Sequence, residues 1–433
     1  PYETRPCLSW KQPHPRKGRA TLMQHIGDRI REYRMLHGLT QEDLAEKAGM
    51  HPNTIKKLEQ GGTARMDTLH RIARALNTTT GSLISSRPRL LEHGDDGKLD
   101  LLDLRRTISP PITVDGDPLC DDTEPPDLPA LKDALIRLDA AYHGDRYTDL
   151  AEVLPGLIRS AHTAVAHHTH TPREAEARRL RSVALQIAAR YLTQVRAYDL
   201  AHLALADATR DAAASGDEMV SVSCVVGQAW VLIRQGRFDE AERLAALTAD
   251  RVEPRLSTAT VDHLSSWGYL LLRVSAAAAR NNRPDVSAEA LGLARVAAAR
   301  IGRDRYHELR SWGSFGPLTV ELRSIEAELV ADRPDRVLEM AGRLPSESRL
   351  TSSDSWHRHR LDVAEAYARM RRDSEAIRVL AELRREAPTW LRHQRMARET
   401  LERVVRRRKR ALTTEQRALI EIFGRRPRLQ SWG

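Results

Sequence analysis

The stretch LTQEDLAEKAGMHPNTIKKLEQG, residues 39–61, decides the fold of the region around it. Its apolar residues come in two bursts, Leu44, Ala45 and Ala48, then Ile55 and Leu58, with Gly49 between them. Each burst keeps the three-to-four spacing of one helix face, so two short helices meeting at an angle are expected. Thr40 suits the cap of the first, with Asp43 three residues on in a near capping box. Gly49 ends that helix and permits a left-handed turn. Pro52 fits the first turn of the second helix, where its missing N–H has no intrahelical partner. Helix, glycine turn, helix is the helix-turn-helix arrangement. Its second helix would present Pro52, Asn53, Thr54, Lys56 and Lys57 outward.

Working outward, the 433-residue chain is long enough for two or three domains with a large core. It carries 69 Lys and Arg against 59 Asp and Glu, a net charge of +10. The excess is uneven: residues 1–20 and 403–433 are basic, whereas residues 85–130 hold eleven acidic groups against five basic. That asymmetry points to a polyanionic partner. Three cysteines without a CxxC motif suit a reduced cytosol. No apolar run approaches the roughly 20 residues of a membrane helix. The basic N-terminus lacks the apolar core of a secretory signal.

Leu and Ala are abundant, aromatics are scarce, and apolar residues recur three or four apart through most of residues 130–405. An all-α chain is expected. Five segments divide it: a basic arm at 1–20, a compact helical unit at 21–86, an acidic, proline-rich linker at 87–128, a helical array at 129–405, and a basic tail at 406–433. Within the linker, LDLLDLRR (99–106) has helical spacing. The array repeats around Tyr147, Tyr198, Phe238, Pro284, Pro334 and Asp373, landmarks 51, 40, 46, 50 and 39 residues apart. A helical-hairpin period of this size predicts an α-solenoid, in which each pair buries its face on the next. Gly236, Phe238 and Ala241 stand where the tetratricopeptide repeat places its turn glycine, its aromatic and its tight-packing alanine. The array therefore resembles that repeat family.

The unit at 21–86 resembles the Xre/Cro-type, lambda-repressor-like DNA-binding domain, a five-helix fold. The resemblance is carried by Ile26-Gly27, Ile30-Arg31, Arg34, Gly38-Leu39, Thr40-Gln41, Leu44-Ala45, Gly49, Ile55, Glu59, Gly61, Thr68-Leu69, Ala73 and Ala75-Leu76. It implies that Pro52, Asn53, Thr54 and Lys57 face bases in the major groove, with Lys56 beside them and Gln41 on a phosphate. Asn53 suits adenine and Lys57 suits guanine O6 and N7. His51 replaces the family's usual Ser or Thr cap, and Ala64-Arg65 replaces Pro-Ser before the fourth helix. Both changes are expected to weaken helix ends.

The combination with degenerate repeats resembles actinobacterial regulators that join an Xre-type head to such an array. In peptide-responsive regulators of this architecture, inner-helix asparagines grip a peptide. Here only four asparagines exist, and just Asn281 and Asn282 lie in the array. Trp230, Trp267, Tyr269, Asn281, Trp312 and Trp356, together with several arginines, are candidates for a ligand groove; the alternative is that the tryptophans are inter-repeat core.

The histidines at 162, 167, 168 and 170 lack cysteine or carboxylate support and read as an exposed loop rather than a metal site. No GxSxG, P-loop or GxGxxG motif occurs, so neither an enzyme nor a cofactor is expected. RVVRRRKR (403–410) reads as a charged cap of the last helix or as an auxiliary phosphate contact.

The expected function is a sequence-specific transcriptional regulator acting on a palindromic duplex DNA operator as a homodimer, cytoplasmic and nucleoid-associated. Its repeat domain would dimerise and sense a peptide, small-molecule or protein effector. The rival expectation is a repeat-type interaction scaffold whose head binds DNA weakly or not at all.

Overall fold

The structure is a computed structural model and describes residues 18–62, 64, 66–76, 78, 83, 101–114, 124, 126–306, 309, 312–344, 353–407 and 411–423. Among these residues there are twenty helices and no strand beyond the isolated bridge between Arg305 and Phe315. The chain divides into two units, Pro1–Gly97 with Leu401–Gly433, and Lys98–Thr400.

The first unit opens with α1 (Gly18–Leu36), α2 (Gln41–Lys47), α3 (Pro52–Glu59) and α4 (Met66–Ala75). Their inward faces form one core in which Ile30, Tyr33, Leu44, Ile55, Ile72 and Leu76 are fully buried. Each such aliphatic side chain contributes about 1.5–3 kcal/mol relative to an exposed one. The expected fifth helix falls outside the described residues except for Leu83, which is buried and accepts a hydrogen bond from Arg29 Nε at 2.6 Å. The first unit also holds α20 (Thr414–Ile422), whose N-terminus is closed by a capping box between Thr413 and Gln416. The segment that reads as a basic tail therefore carries a capped helix. Arg406 of that segment donates from Nε to Glu32 Oε1 at 2.7 Å. Burial pushes the Glu32 carboxyl up to about 7, outweighing Arg406.

In the second unit the linker's expected helix is α5 (Leu102–Ile108), with Leu104 and Ile108 buried. Six hairpins follow: α6 (Leu128–His143) with α7 (Tyr147–His168), α8 (Glu174–Gln194) with α9 (Tyr198–Ser215), and α10 (Glu218–Gln235) with α11 (Phe238–Arg251). The other three are α12 (Val261–Arg280) with α13 (Pro284–Ile301), α14 (Pro317–Val330) with α15 (Pro334–Gly342), and α16 (Ser353–Arg369) with α17 (Asp373–Glu386). The short α18 (Pro388–Arg392) comes next, and α19 (Arg395–Arg407) begins in this unit and runs past its end at Thr400.

Every second helix begins at one of the six landmarks, and one turn explains all of them. Two residues before each landmark the backbone is left-handed, at Asp145, Arg196, Gly236, Asn282, Asp332 and Arg371. The following N–H bonds back to the carbonyl five residues earlier: Arg146 to Ala141, Ala197 to Leu192, Arg237 to Leu232, Arg283 to Ala278, Arg333 to Glu328 and Arg372 to Tyr367. This is the Schellman arrangement, which satisfies the last carbonyls of the first helix. Only one of the six turns uses glycine, so the motif hides from a search for glycines. Three residues after each landmark, Leu150, Ala201, Ala241, Ser287, Val337 and Ala376 are buried where the paired helices touch.

The array also closes on itself. His357 of α16 lies with Nδ1 2.8 Å from Asp145 Oδ2, in the first hairpin's turn. Thr389 Oγ1 donates to Asp145 O at 2.9 Å, and Gln394 Nε2 donates to Gln194 Oε1 at 3.2 Å. These contacts tie the last hairpin and the segment after it to the first.

Candidate nucleic-acid interface and repeat-domain cavity

The candidate reading face is built by α2 and α3. Thr40 Oγ1 accepts from Asp43 N at 3.1 Å, and Asp43 Oδ2 accepts from Thr40 N at 2.8 Å, a complete capping box. Gly49 sits at φ +62°, a backbone that other residues adopt only with strain. Arg71 of α4 locks this turn, donating to Ala48 O at 3.1 Å and to Gly49 O. His51 does not leave the next helix uncapped: its Nδ1 accepts from Asn53 N at 3.2 Å, doing with a ring nitrogen what a hydroxyl would do.

Ile55 and Leu58 turn inward, so Asn53, Lys56 and Lys57 are exposed, while Pro52 and Thr54 are half-buried beside them. An amide and two ammonium groups on one short exposed helix are donors suited to base edges and phosphates. Gln41 is tied down: its Nε2 donates to Glu59 Oε2 at 2.7 Å. The same Glu59 takes two bonds from Arg34, at 2.6 and 3.0 Å, and Arg34 also donates to Leu39 O at 2.9 Å. One carboxylate thus joins α1, α2 and α3 and sets the angle between the two helices of the motif. Sequence reasoning noted Arg34 and Glu59 without a role, because the pairing spans 25 residues.

The second unit holds a cavity of about 830 Å³, lined mainly by first helices of the hairpins. Trp230, Tyr269 and Trp312 line it; Trp267, Asn281 and Trp356 do not. Trp267 is buried in the repeat core, Trp356 lies beside His359, and Asn281 Nδ2 donates to Asp239 Oδ1 at 2.7 Å across a hairpin junction. Trp312 is seated on Gly227, where an added Cβ would come within 2.1 Å of its ring. Trp230 meets Trp312 edge to face, with centroids 5.7 Å apart. The several arginines expected beside the aromatics are there in number: eight line the cavity, against two glutamates.

The histidine cluster is not all loop. Helix α7 runs on to His168, and His162 on its inner face is buried, with Nε2 2.9 Å from Thr107 O of α5 and Nδ1 3.4 Å from Arg181 Nη1. Burial and the Arg181 charge depress its pKa, so the neutral ring donates to Thr107 and accepts from Arg181. Among the described residues no group of His, Cys, Asp or Glu is placed to hold a metal ion. No helix among them is long and apolar enough to cross a membrane.

Residues 30–83 match the helix-turn-helix family. An uncharacterized HTH-type transcriptional regulator of Methanothermobacter thermautotrophicus is 52% identical over 48 residues, 11% of this chain and 70% of that protein. Among solved structures, Bacillus thuringiensis PlcR, crystallised in complex with the peptide PapR7 and DNA, aligns with 74% of this chain and 97% of its own at 15% identity and a TM-score of 0.31. With its capped α2–α3 pair, its left-handed Gly49 turn, the family match at residues 30–83 and the Methanothermobacter relative, the chain belongs to the Xre-type helix-turn-helix transcriptional regulators.

Proposed function

We propose that this chain is a sequence-specific transcriptional regulator that reads duplex DNA with α3 and responds to an effector held in its repeat domain. The observation that carries this reading is the exposed row of Asn53, Lys56 and Lys57 on a helix whose opposite face, Ile55 and Leu58, is locked into the head. In this reading Asn53 and Lys57 contact base edges, Lys56 and Gln41 hold phosphates, and His51, Pro52 and Thr54 set the helix start. One such head buries a modest surface, so tight binding calls for two heads about 34 Å apart on a palindrome. The protein then works as a homodimer on the nucleoid, in the cytoplasm.

Selection from a random duplex library with the full chain, followed by gel shift on the enriched sequence and on the upstream region of its own gene, tests the reading. A palindromic motif with half-sites one turn apart is expected. Selection that enriches no motif would leave the head a non-reading module and favour an interaction scaffold.

A further inference from the structure

The repeat-domain cavity is electrostatically unbalanced. Glu326 faces three guanidinium groups: Arg280 Nη2 at 2.6 Å, Arg323 Nη1 at 3.0 Å and Arg358 Nη2 at 3.5 Å. Burial alone would raise its pKa, but those three charges outweigh burial and hold the carboxyl well below the usual range. Asp362, 3.2 Å from Arg358, does not line the cavity, and burial pushes its carboxyl up to about 7. Arg273 has no carboxylate within ion-pair distance among the described residues; its Nε donates to Val226 O at 3.2 Å and its guanidinium lies 5.9 Å from the Trp230 ring centroid. Arg234 is likewise without an acidic partner, with Tyr198 as its hydrogen-bonding neighbour. Burial and a neighbouring arginine lower both pKa values, Arg273 to about 10.

Five inward arginines therefore line the cavity with one carboxylate, Glu326, among them. Like charges drawn out of water are costly unless an anion joins them. Guanidinium groups bind phosphate and carboxylate through paired N–H donors. The cavity, about 830 Å³, lies within the ~300–1,000 Å³ of small-molecule sites, which suits a compact occupant. Of the eight lining arginines, Arg237 and Arg395 are satisfied at the edge by Glu240 and Glu399, and Arg196 is exposed in the turn before α9; these three do not enter the count.

Resting on the effector reading above, we propose that the cavity takes a compact ligand with clustered oxyanions, phosphate or carboxylate, held by Arg234, Arg273, Arg280, Arg323 and Arg358.

The test is calorimetric titration of the full chain, without DNA, using inorganic tripolyphosphate, adenosine triphosphate, citrate and uncharged adenosine. Melting temperatures are recorded alongside. Saturable binding of at least one polyanion is expected, with none of adenosine. Tripolyphosphate against citrate separates a phosphate from a carboxylate source. Arg273→Gln should weaken binding about tenfold or more without lowering the melting temperature of the unliganded chain, because it removes an unbalanced charge. A purely structural arginine would lower it. The double variant Lys56→Ala/Lys57→Ala should bind the polyanion as the parent does. Absence of binding by all three polyanions, loss of binding in the head variant, or unchanged affinity in Arg273→Gln would each overturn the proposal. Polyanion binding without any change in the gel shift would support the site and overturn the sensing role instead.

Discussion

Replacing Glu59 by glutamine probes the joint that orients the two helices of the reading head. The carboxylate is 4% exposed and Arg34 12%, so solvent screens their pair weakly. Removing one partner of a buried pair typically costs about 3–5 kcal/mol, because the remaining charge is stranded. Glutamine keeps the size and one acceptor oxygen for Arg34. Its NH2 then faces donors from Arg34 and Gln41, so a loss of about 2–3 kcal/mol is expected. Native-state hydrogen exchange of the full chain localises the effect to the head. Amides such as those of Ala48 and Thr54, bonded to Leu44 O and His51 O, should exchange about 30- to 160-fold faster. Repeat-domain amides should be unaffected, as should all amides in Glu240→Gln, which disturbs only the exposed pair with Arg237. Protection of α2 and α3 within about threefold of the parent would refute the reasoning and show the joint to be solvated.

On DNA, Asn53→Ala or Lys57→Ala should each cost roughly 1–3 kcal/mol at the selected operator and relax discrimination at one base pair, measured by competition gel shift. Gln41→Ala should weaken all sequences alike; if Asn53→Ala and Lys57→Ala both leave specific binding intact, α3 is not the reading helix. In the array, Arg371→Gly should stabilise by a few tenths of a kcal/mol in a thermal melt, since relief of left-handed strain of about 1–2 kcal/mol exceeds glycine's entropy penalty of about 0.5–1; a lower melting temperature would contradict the turn assignment. The pKa of His162 is depressed in the folded protein, so its contribution is present above the ordinary imidazole value of about 6.5 and lost as pH falls below it. Amides of α5, such as Arg105 bonded to Leu101 O, should therefore lose exchange protection as pH falls from about 7.5 to about 5.5, after correction for intrinsic exchange. His162→Gln should flatten that dependence, and an equal dependence in the variant would remove His162 from the mechanism.

What the sequence alone determined was local. The two bursts around Gly49, the Thr40 cap, the proline opening α3 and the six landmark positions all rest on contacts within five residues, so periodicity and turn chemistry sufficed to locate them. The Schellman turns obey the same locality, although five of the six lack glycine. His51 as a cap was misjudged from residue preference, because a ring nitrogen can accept where a hydroxyl is customary. Tertiary structure decided what depends on distant partners. Glu59 meets Arg34 25 residues away, and His357 meets Asp145 across 212 residues. Each of three successive repeats carries a tryptophan, yet Trp230 and Trp312 line the cavity while Trp267 lies in the core. Trp230 stands near the end of α10, Trp267 early in α12 and Trp312 in the connection before α14, so each meets different neighbours and only packing decides which of them reaches the cavity. Five arginines scattered from residue 234 to residue 358 become one charged site only because the hairpins stack with their first helices inward and the last closes on the first.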